Sequence, residues 1–465
     1  SMSINARIGD DMQQPTVELL TGGRGRPFAA SMLETDRFGY TEAEYALTGT
    51  ATRYRLATGA ELTRDGHWQA EPAGTAPFRT RLLIYRPTDP ARFNGTVVLT
   101  WNNVSAGYDL FGAESLELFE GGFGLACLTT QKVGIVGLPP EPQGLAAWDP
   151  GRYGNLVIPS DDYSYDIFTQ GARAVGPKRS RQAVDPMGGL EVERVVALGA
   201  SQSAGRLATY LNAVQPLERS LDGFILAIYF GSGSPLQVGD AVVDLNRLSP
   251  PRSGEGLRGS NQLRDDLGVP VFVVNSELEA IACYPVRQPD TDTFRYWESA
   301  GTCHVSDQVT RERQKKLLRD RVKAPPLPEG INRIPITPLY EAAFHHMQRW
   351  LTDGTPPPRQ PKLEFAGDPP QVVRDAHGIA KGGIRLPQVE VPIATNSSIP
   401  RAPDIFSYLR GSCRPFDADK LRALYGDKVA FRTEFESAAK RAVESGVLLP
   451  RDAAALVAEA SDSWP

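Results

Sequence analysis

The sequence has few of the residues that build disulfide scaffolds or metal sites. Its 465 residues include four cysteines, namely Cys127, Cys283, Cys303 and Cys413. These cysteines are too few for a disulfide scaffold, and none is part of a C-x-x-C pair. Five histidines are present, without an H-E-x-x-H sequence that would indicate a zinc protease. We therefore expect no metal, no other cofactor and a reducing, cytoplasmic setting.

Long apolar runs and an excess of positive charge are also missing. The longest apolar segments, such as 224–230, have the length of one buried strand, whereas a membrane helix needs about 20 apolar residues. Fifty Lys and Arg against 55 Asp and Glu give a net charge of −5, which is unlike the basic surface that binds phosphates. The first residues show no basic region followed by an apolar stretch, so no export signal is predicted. Neither a membrane nor a nucleic acid is an expected partner.

What the sequence does contain is a series of apolar, β-branched segments of strand length, separated by Gly/Pro turns and helical patterns. These segments predict an α/β fold with a mostly parallel central sheet and flanking helices. The helical patterns at 204–214 and 338–352 have the length of crossover helices between parallel strands. The predicted strands are 78–85, 95–101, 123–129, 194–198, 224–230, 269–275 and a shorter one at 293–297.

Changes in composition along the chain predict three regions. Residues 1–77 are expected to be an N-terminal extension whose strands pack on the core, and residues 78–360 to be the α/β core itself. Residues 231–268, rich in Gly, Ser, Pro and Arg, are interpreted as a cap-like insertion in that core. Beyond a Pro-rich segment, residues 361–465 are predicted to form a partly helical C-terminal appendage, with a lid over the pocket as one interpretation.

A nucleophile elbow is predicted at the sequence VVALGASQSAG, residues 195–205, where a buried strand runs through small residues into a helix. At such an elbow the nucleophile has strained dihedrals, so the residues two before and two after it must be small. Gly199 and Ser203 occupy these positions around Ser201. A frame centred on Ser203 places the turn two residues too far from the strand, so Ser201 is preferred. The alternative interpretation is a Gly/Ser-rich helix cap.

The general base must be one of five histidines. In folds with a nucleophile elbow, the acid and then the histidine follow the nucleophile along the chain. His304 meets this order, because it ends a short strand and a Gly-containing turn. His67 precedes the elbow, and His345 and His346 lie inside a helical pattern, where a structural role is expected. His377, in a polar turn, is the reserve candidate.

The acid is expected directly after the predicted strand 269–275, where the sequence Ser276-Glu277-Leu278-Glu279 supplies two carboxylates. A carboxylate there would hold the imidazole in the tautomer that accepts the serine proton. Glu279 is preferred because it lies deeper in the turn. Glu277 stays open as the alternative acid or as a brace for the loop, and a solvated pair of glutamates is the non-functional interpretation.

Oxyanion donors are expected from backbone N–H groups on two sides of the elbow. One is Gln202, at the helix N-terminus, where the helix dipole favours negative charge. The other is Asn103 or Val104, in the turn-rich loop that follows the predicted strand 95–101. No H-G-G-G motif is present in this loop, and an ordinary strand-to-loop turn is the alternative interpretation.

Over nearly its full length the sequence resembles the α/β-hydrolase superfamily, and more closely the bacterial alpha/beta hydrolase domain family. The resemblance implies a serine hydrolase with esterase-like activity, in which Ser201 and His304 take the nucleophile and base positions. Two departures are Ala204, inserted before Gly205, and Glu279, which stands where Asp is common. The matching blocks are 93–98, 103–105, Gln131, 162–168, 201–203, 276–279, the WE, GT and H of 297–304, 354–357 and 382–387.

The sequence thus predicts hydrolysis of a carboxylic ester or lactone through an acyl-enzyme. Ser201 would attack, His304 would relay the proton and Glu279 would orient the histidine. The expected partner is a small ester or lactone, and a homo-oligomer is left open. Cys283 and Cys303 would pair only in an exported protein. The alternatives are an acyltransferase on the same triad and a non-catalytic binding or scaffold protein with this fold.

Overall fold

The computed structural model describes residues 14–181, 184–251 and 256–465. Within them, nine strands form one sheet in the spatial order β1-β2-β3-β5-β4-β6-β7-β8-β9. The six strands from β5 to β9 in this order are parallel neighbours, and β1, β2 and β3 join them antiparallel. The strands are β1 Thr16–Leu19, β2 Tyr40–Leu56, β3 Ala70–Pro87, β4 Thr96–Trp101, β5 Gly124–Leu128, β6 Arg194–Ala200, β7 Gly223–Ala227, β8 Val271–Ser276 and β9 Phe294–Ser299.

The predicted α/β fold with a mostly parallel sheet is confirmed. Each predicted strand corresponds to one of β3 to β9, although β3 begins at Ala70 rather than at residue 78. Strand β2 had no apolar run to indicate it, because it is antiparallel and part of its length faces solvent. It pairs along the whole of β3, so residues before 78 contribute to the main sheet. The predicted domain boundaries stay predictions.

Helices lie on both faces of the sheet. Helices form at both predicted positions: α7, which continues as a π-helical turn at Tyr210–Val214, crosses from β6 to β7, whereas α11 follows β9, the last strand of this sheet, and joins no two of its strands. None of the described helices is long and apolar enough to cross a membrane. The helices are α1 Thr35–Phe38, α2 Leu116–Glu120, α3 Lys132–Val136, α4 Leu145–Trp148, α5 Pro150–Tyr153, α6 Ser164–Val175, α7 Gln202–Thr209, α8 Gln215–Glu218, α9 Glu277–Cys283, α10 Asp307–Arg319, α11 Thr337–Asp353, α12 Pro387–Glu390, α13 Ile405–Arg410, α14 Ala418–Tyr425, α15 Lys428–Glu444 and α16 Pro450–Ser463.

Side-chain alternation along the buried strands creates two apolar layers. In β4, Val97 and Leu99 belong to one hydrophobic cluster, and Val98 between them belongs to the other. The first cluster includes residues of α6 and α7, and the second includes residues of α11, α15 and α16. Both faces of the parallel strands are therefore covered, which explains why their sequences are continuously apolar.

The regions around the core are attached at its edges. After β9, the backbone of Ile384 extends the sheet by accepting from Ala300 N–H and donating to the Glu298 carbonyl. Short strand pairs in the C-terminal region are β10 Phe365–Ala366 with β11 Gln371–Val372, and β12 Ala394–Ser397 with β13 Ser412–Pro415. The described part of residues 231–268 has one 3-10 turn, Leu245–Arg247, and otherwise no regular secondary structure.

Candidate active site

Ser201 lies at a sharp turn between β6 and α7. Its backbone has φ 60° and ψ −121°, a conformation that non-glycine residues rarely adopt. Such strained backbone conformations are concentrated at functional sites. Strand and helix approach closely here, since a Cβ on Gly199 would lie 2.7 Å from the carbonyl oxygen of Ser203. Glycine is therefore required two residues before Ser201. The local geometry is that of a nucleophile elbow.

Ser203 occupies a different environment. Its side chain is fully buried in α7, and its Oγ has no hydrogen-bond partner among the described residues. Ala204 is also fully buried, and Gly205 packs against the chain after β7, where its Cβ would lie 3.1 Å from Ser234 Oγ. The Ala204 departure thus leaves the turn centred on Ser201.

His304 and Glu279 meet Ser201 at the carboxyl edge of the sheet. Ser201 Oγ lies 2.8 Å from His304 Nε2, and His304 Nδ1 lies 3.0 Å from Glu279 Oε2. The three side chains follow β6, β9 and β8, so the loops after parallel strands bring them to one edge. His304 is 7% exposed and Glu279 is fully buried. Together they form a continuous chain of hydrogen bonds that ends at a partly exposed serine.

Glu279 is held in place by the start of its own helix. Its Oε1 accepts from Ser276 N–H at 2.7 Å, and its Oε2 accepts from Ser276 Oγ at 2.8 Å. Ser276 and Glu279 form a capping box, in which the serine caps α9 and the glutamate reaches back to the cap residue. The carboxylate that contacts His304 is therefore fixed by two further hydrogen bonds.

Glu277 points to the C-terminal region instead. Its Oε1 accepts from Gly301 N–H at 3.1 Å. Its Oε2 accepts from Arg374 at 3.0 Å, and from the N–H and Oγ of Ser398 at 2.7 and 2.5 Å. Of the two sequence candidates, Glu279 is the one that contacts His304. Glu277 joins the start of α9 to two segments more than 90 residues further along the chain.

The three candidate oxyanion donors differ in whether their backbone N–H already has an acceptor. The N–H of Asn103 donates to the Leu110 carbonyl at 2.7 Å, because the loop closes into a bridge, so this N–H is occupied. The N–H groups of Val104 and Gln202 have no acceptor among the described residues. The side chain of Asn103 has a structural role instead. Its Nδ2 donates to the Ala200 carbonyl at 3.2 Å and so connects the loop after β4 to the turn at Ser201.

The loop after β4 is also held by a buried ionic network, which sequence reasoning missed. Asp109 Oδ2 accepts from Arg81 at 2.8 Å, Asn102 Nδ2 at 2.9 Å and Thr129 Oγ1 at 2.8 Å. Arg81 also contacts Glu44 of β2, and all three charged groups have no exposed side-chain surface. No sequence signal indicates it, since these residues come from four separate segments.

Aromatic and cationic side chains lie beside the histidine, and these were also missed. The ring of Phe230, just after β7, stacks on His304 with centroids 5.0 Å apart. The guanidinium of Arg258 lies 5.6 Å from the centroid of that Phe230 ring. Arg258 also donates to the hydroxyl of Tyr408 on α13, at 3.3 Å. Residues of the predicted cap and of the C-terminal region thus approach the imidazole.

None of the other four histidines makes a hydrogen bond with Ser201 in the described structure. His346 Nε2 donates to the Gly446 carbonyl at 2.6 Å, and burial lowers the pKa of this imidazole to about 4. His345 is its neighbour on α11. His67 is near the exposed tip of the β2–β3 connection, and the reserve candidate His377 lies in the turn after β11.

The cysteines offer neither a disulfide nor a reactive thiolate. All four are free and buried, so Cys283 and Cys303 do not pair. Cys283 Sγ donates to the Tyr229 carbonyl at 2.9 Å, and Cys303 Sγ donates to the Val305 carbonyl at 3.2 Å. Burial raises both thiol pKa values well above the ordinary range. Within the described ranges, no three Cys, His, Asp or Glu side chains group as metal ligands.

A family model described as the alpha/beta hydrolase domain matches residues 12–458. The chain belongs to this family. A comparison with curated proteins found no match. Similar solved structures include acetyl xylan esterase 1 from Thermoanaerobacterium, 13% identical with a TM-score of 0.28, covering 62% of this chain and 81% of that one. Brefeldin A esterase, a bacterial protein, is 12% identical with a TM-score of 0.24, covering 59% and 66%.

Proposed function

We propose that this alpha/beta hydrolase cleaves a carboxylic ester or lactone through an acyl-enzyme. Ser201 is the nucleophile, His304 the general base and Glu279 the acid that orients it. The observation that carries the proposal is the 2.8 Å contact between Ser201 Oγ and His304 Nε2 at a strained elbow. A serine whose hydroxyl contacts an oriented imidazole is the arrangement that activates a weak nucleophile.

The proton path follows from the two contacts of the imidazole. With Glu279 accepting at Nδ1, the proton of neutral His304 resides on Nδ1 and the Nε2 lone pair faces Ser201. Nε2 takes the serine proton while Oγ bonds to the ester carbon. The imidazolium then gives that proton to the alkoxide, so an acyl-serine remains while the alcohol of an ester leaves, or the hydroxyl of an opened lactone stays on the acyl chain.

Deacylation repeats the same steps with water as the nucleophile. His304 takes a proton from the water, the hydroxide attacks the acyl carbon, and Ser201 recovers its proton as the carboxylic acid leaves. In both halves the negative oxygen would lie against the N–H groups of Gln202 and Val104. Donors that are already oriented stabilise this charge without reorganisation, at about 3–4 kcal/mol for a single donor.

The test is hydrolysis of a p-nitrophenyl ester series and of lactones by the wild type and three variants. Ser201→Ala and His304→Ala should lower kcat by about 10⁴-fold or more, because triad members act as a unit. Ser203→Ala serves as the matched control, since it removes a buried hydroxyl from the same helix. Circular dichroism checks that each variant is folded.

Retained turnover in Ser201→Ala, or equal losses in all three serine and histidine variants, would contradict the proposal. Turnover that appears only when an alcohol acceptor is added, with a new ester as product, would instead favour acyl transfer on the same triad. An inert wild type that still binds esters would favour a non-catalytic protein.

A further inference from the structure

Three planar side chains extend from His304 towards the protein surface. The ring of Phe230 stacks on the imidazole, with centroids 5.0 Å apart and an angle of 28° between the planes. The guanidinium of Arg258 lies 5.6 Å from the centroid of the Phe230 ring and 5.8 Å from that of Tyr408. It also donates to the Tyr408 hydroxyl at 3.3 Å. We call Phe230, Arg258 and Tyr408 the histidine-side wall.

The backbone of Arg258 is held against the helix that carries the acid of the triad. The N–H groups of Arg258 and Gly259 both donate to the Ala282 carbonyl of α9, at 3.2 and 2.7 Å. The N–H of Ser260 donates at 2.9 Å to the carbonyl of Gly231, which is the residue after the stacked ring. Backbone hydrogen bonds therefore fix this part of the wall relative to the triad.

The backbone of Tyr408 is held against the loop that carries the histidine. The carbonyl of Leu409 accepts from Val305 N–H at 2.9 Å, and the carbonyl of Arg410 accepts from Cys303 Sγ at 3.2 Å. Both residues that flank the histidine are thus bonded to the end of α13. The third wall residue therefore also starts from backbone that is fixed beside the imidazole.

The wall becomes more exposed with distance from the imidazole. His304 is 7% exposed. Phe230 and Tyr408 are partly buried, and Arg258 is exposed. Ligand sites are typically lined by aromatic side chains with a few polar groups among them, as this wall is. A part of the substrate that extends from Ser201 past the imidazole towards solvent would contact it.

The proposed reaction decides which part of an ester lies there. The imidazolium gives its proton to the alcohol oxygen, so this oxygen must come within hydrogen-bond reach of His304 Nε2. The carbonyl oxygen is assigned instead to the N–H groups of Gln202 and Val104. The alcohol part is therefore the part of the substrate next to the histidine-side wall.

We infer that the substrate is an ester whose alcohol part carries an aromatic ring, which packs against Phe230, Arg258 and Tyr408. Aromatic rings attract one another in edge-to-face and offset arrangements, and a guanidinium is attracted to the face of a ring. A saturated ring of similar size buries a similar area without these interactions. This inference rests on the proposed function and names the substrate class of the same site.

The test moves one ring across the ester bond. The alcohol-side pair is benzyl acetate and cyclohexylmethyl acetate, and the acyl-side pair is ethyl phenylacetate and ethyl cyclohexylacetate. Acid release gives kcat/KM, and each aromatic-to-saturated ratio is divided by the same ratio for hydrolysis by hydroxide, which removes differences in intrinsic reactivity. The wild type should prefer benzyl acetate about five- to tenfold and should discriminate less within the acyl-side pair.

Variants of the wall should weaken this preference. Phe230→Leu and Arg258→Gln should each lower the alcohol-side ratio by about threefold. A ratio cancels any general loss of activity that follows from disturbing the imidazole, and Phe230→Tyr, which keeps the ring, should retain the preference. Phe406→Leu is the matched control, because this residue is also on α13 but its ring lies against the guanidinium of Arg410, 5.6 Å from the ring centroid.

Three outcomes overturn the inference while the proposed function stands. They are hydrolysis without an alcohol-side preference, a preference that is confined to the acyl-side pair, and an alcohol-side ratio that is unchanged in both Phe230→Leu and Arg258→Gln. A wild type that cleaves p-nitrophenyl esters but none of these four esters would also reject the inference alone. A wild type that cleaves none of them, p-nitrophenyl esters included, would reject the proposed function and the inference together.

Discussion

Two buried glutamates in the first turn of α9, Glu279 and Glu277, have hydrogen-bond partners in different parts of the molecule. On one side, Glu279 contacts His304 in a chain of hydrogen bonds that ends at the partly exposed hydroxyl of Ser201. On the other side, Glu277 accepts from Arg374 and from three further donors, all within the protein. Residues two apart on a helix point in different directions, so one turn of α9 serves both clusters.

We therefore assign a role in the proposed reaction to Glu279, and to Glu277 the role of holding the α/β core and the C-terminal region together. The Glu279 cluster is open, because it ends at the partly exposed hydroxyl of Ser201, whose hydrogen-bond partner among the described residues is His304. The Glu277 cluster is closed, and its hydrogen bonds join the α/β core to segments of the C-terminal region. Burial and residue type are the same for both glutamates, so only the partners distinguish them.

Exchanging each glutamate for glutamine should separate the two roles most strongly in kcat. Glu279→Gln places an amide against His304, which favours the wrong imidazole tautomer, so we expect kcat to fall by about 10²–10⁴-fold. Glu277→Gln should leave kcat within about threefold. The measurement is steady-state hydrolysis of a short p-nitrophenyl ester by both variants. Similar losses in the two variants would remove the distinction.

Stability should show the reverse order. Glu277→Gln leaves the charge of Arg374 without a buried anion, so the free energy of unfolding should fall by about 1–3 kcal/mol. Glu279→Gln keeps the capping box, which accepts Glu or Gln, and should cost less. Urea unfolding measures both, with the exposed Glu434→Gln on α15 as the control. A larger loss in Glu279→Gln would contradict the assignment of Glu277 to cohesion.

A second contact between core and C-terminal region should respond to pH. Burial lowers the pKa of His346 to about 4, while the unfolded chain has the ordinary value of about 6.5. The unfolded state therefore binds the proton more readily, and stability is lost as pH falls from about 6.5 towards 4, by on the order of 2–4 kcal/mol. Urea midpoints at pH 7 and pH 4.5 should show this loss in the wild type.

His346→Gln provides the comparison, because its amide N–H can still donate to the Gly446 carbonyl without titrating. The variant should lose less stability than the wild type over the same pH range. The exposed His67→Gln is the matched control and should behave as the wild type. If the urea midpoints of His346→Gln and of the wild type changed equally between pH 7 and pH 4.5, protonation of His346 would not be the cause of the stability loss.

The central sheet was predictable because strands buried on both faces have continuously apolar sequences, as in β4 and β6. Strand β2 was not, since an antiparallel strand with polar positions resembles a loop by composition. The elbow at Ser201 was predictable because its small neighbours are a local requirement. His304 followed from the order of groups along the chain and from the scarcity of histidine.

What stayed open depended on contacts distant in sequence. The choice between Glu279 and Glu277 is made by the partners Arg374 and Ser398, which lie about a hundred residues beyond the helix. The N–H of Asn103 is bonded to the Leu110 carbonyl because these two residues form an antiparallel bridge, and no pattern in the sequence predicts that bridge. The bounds of the cap and the appendage, and the identity of the triad as a working catalyst, remain predictions for experiment.

The central claim is that Ser201, and not Ser203, is the nucleophile that His304 activates. An alkyl fluorophosphonate tests it directly, because an activated serine displaces fluoride and forms a stable Oγ–P bond. Both serines lie in the tryptic peptide of residues 195–206, and fragmentation by mass spectrometry locates the adduct. The account predicts one adduct per chain, on Ser201, absent in Ser201→Ala and His304→Ala. An adduct on Ser203, or labelling that survives the loss of His304, would contradict it.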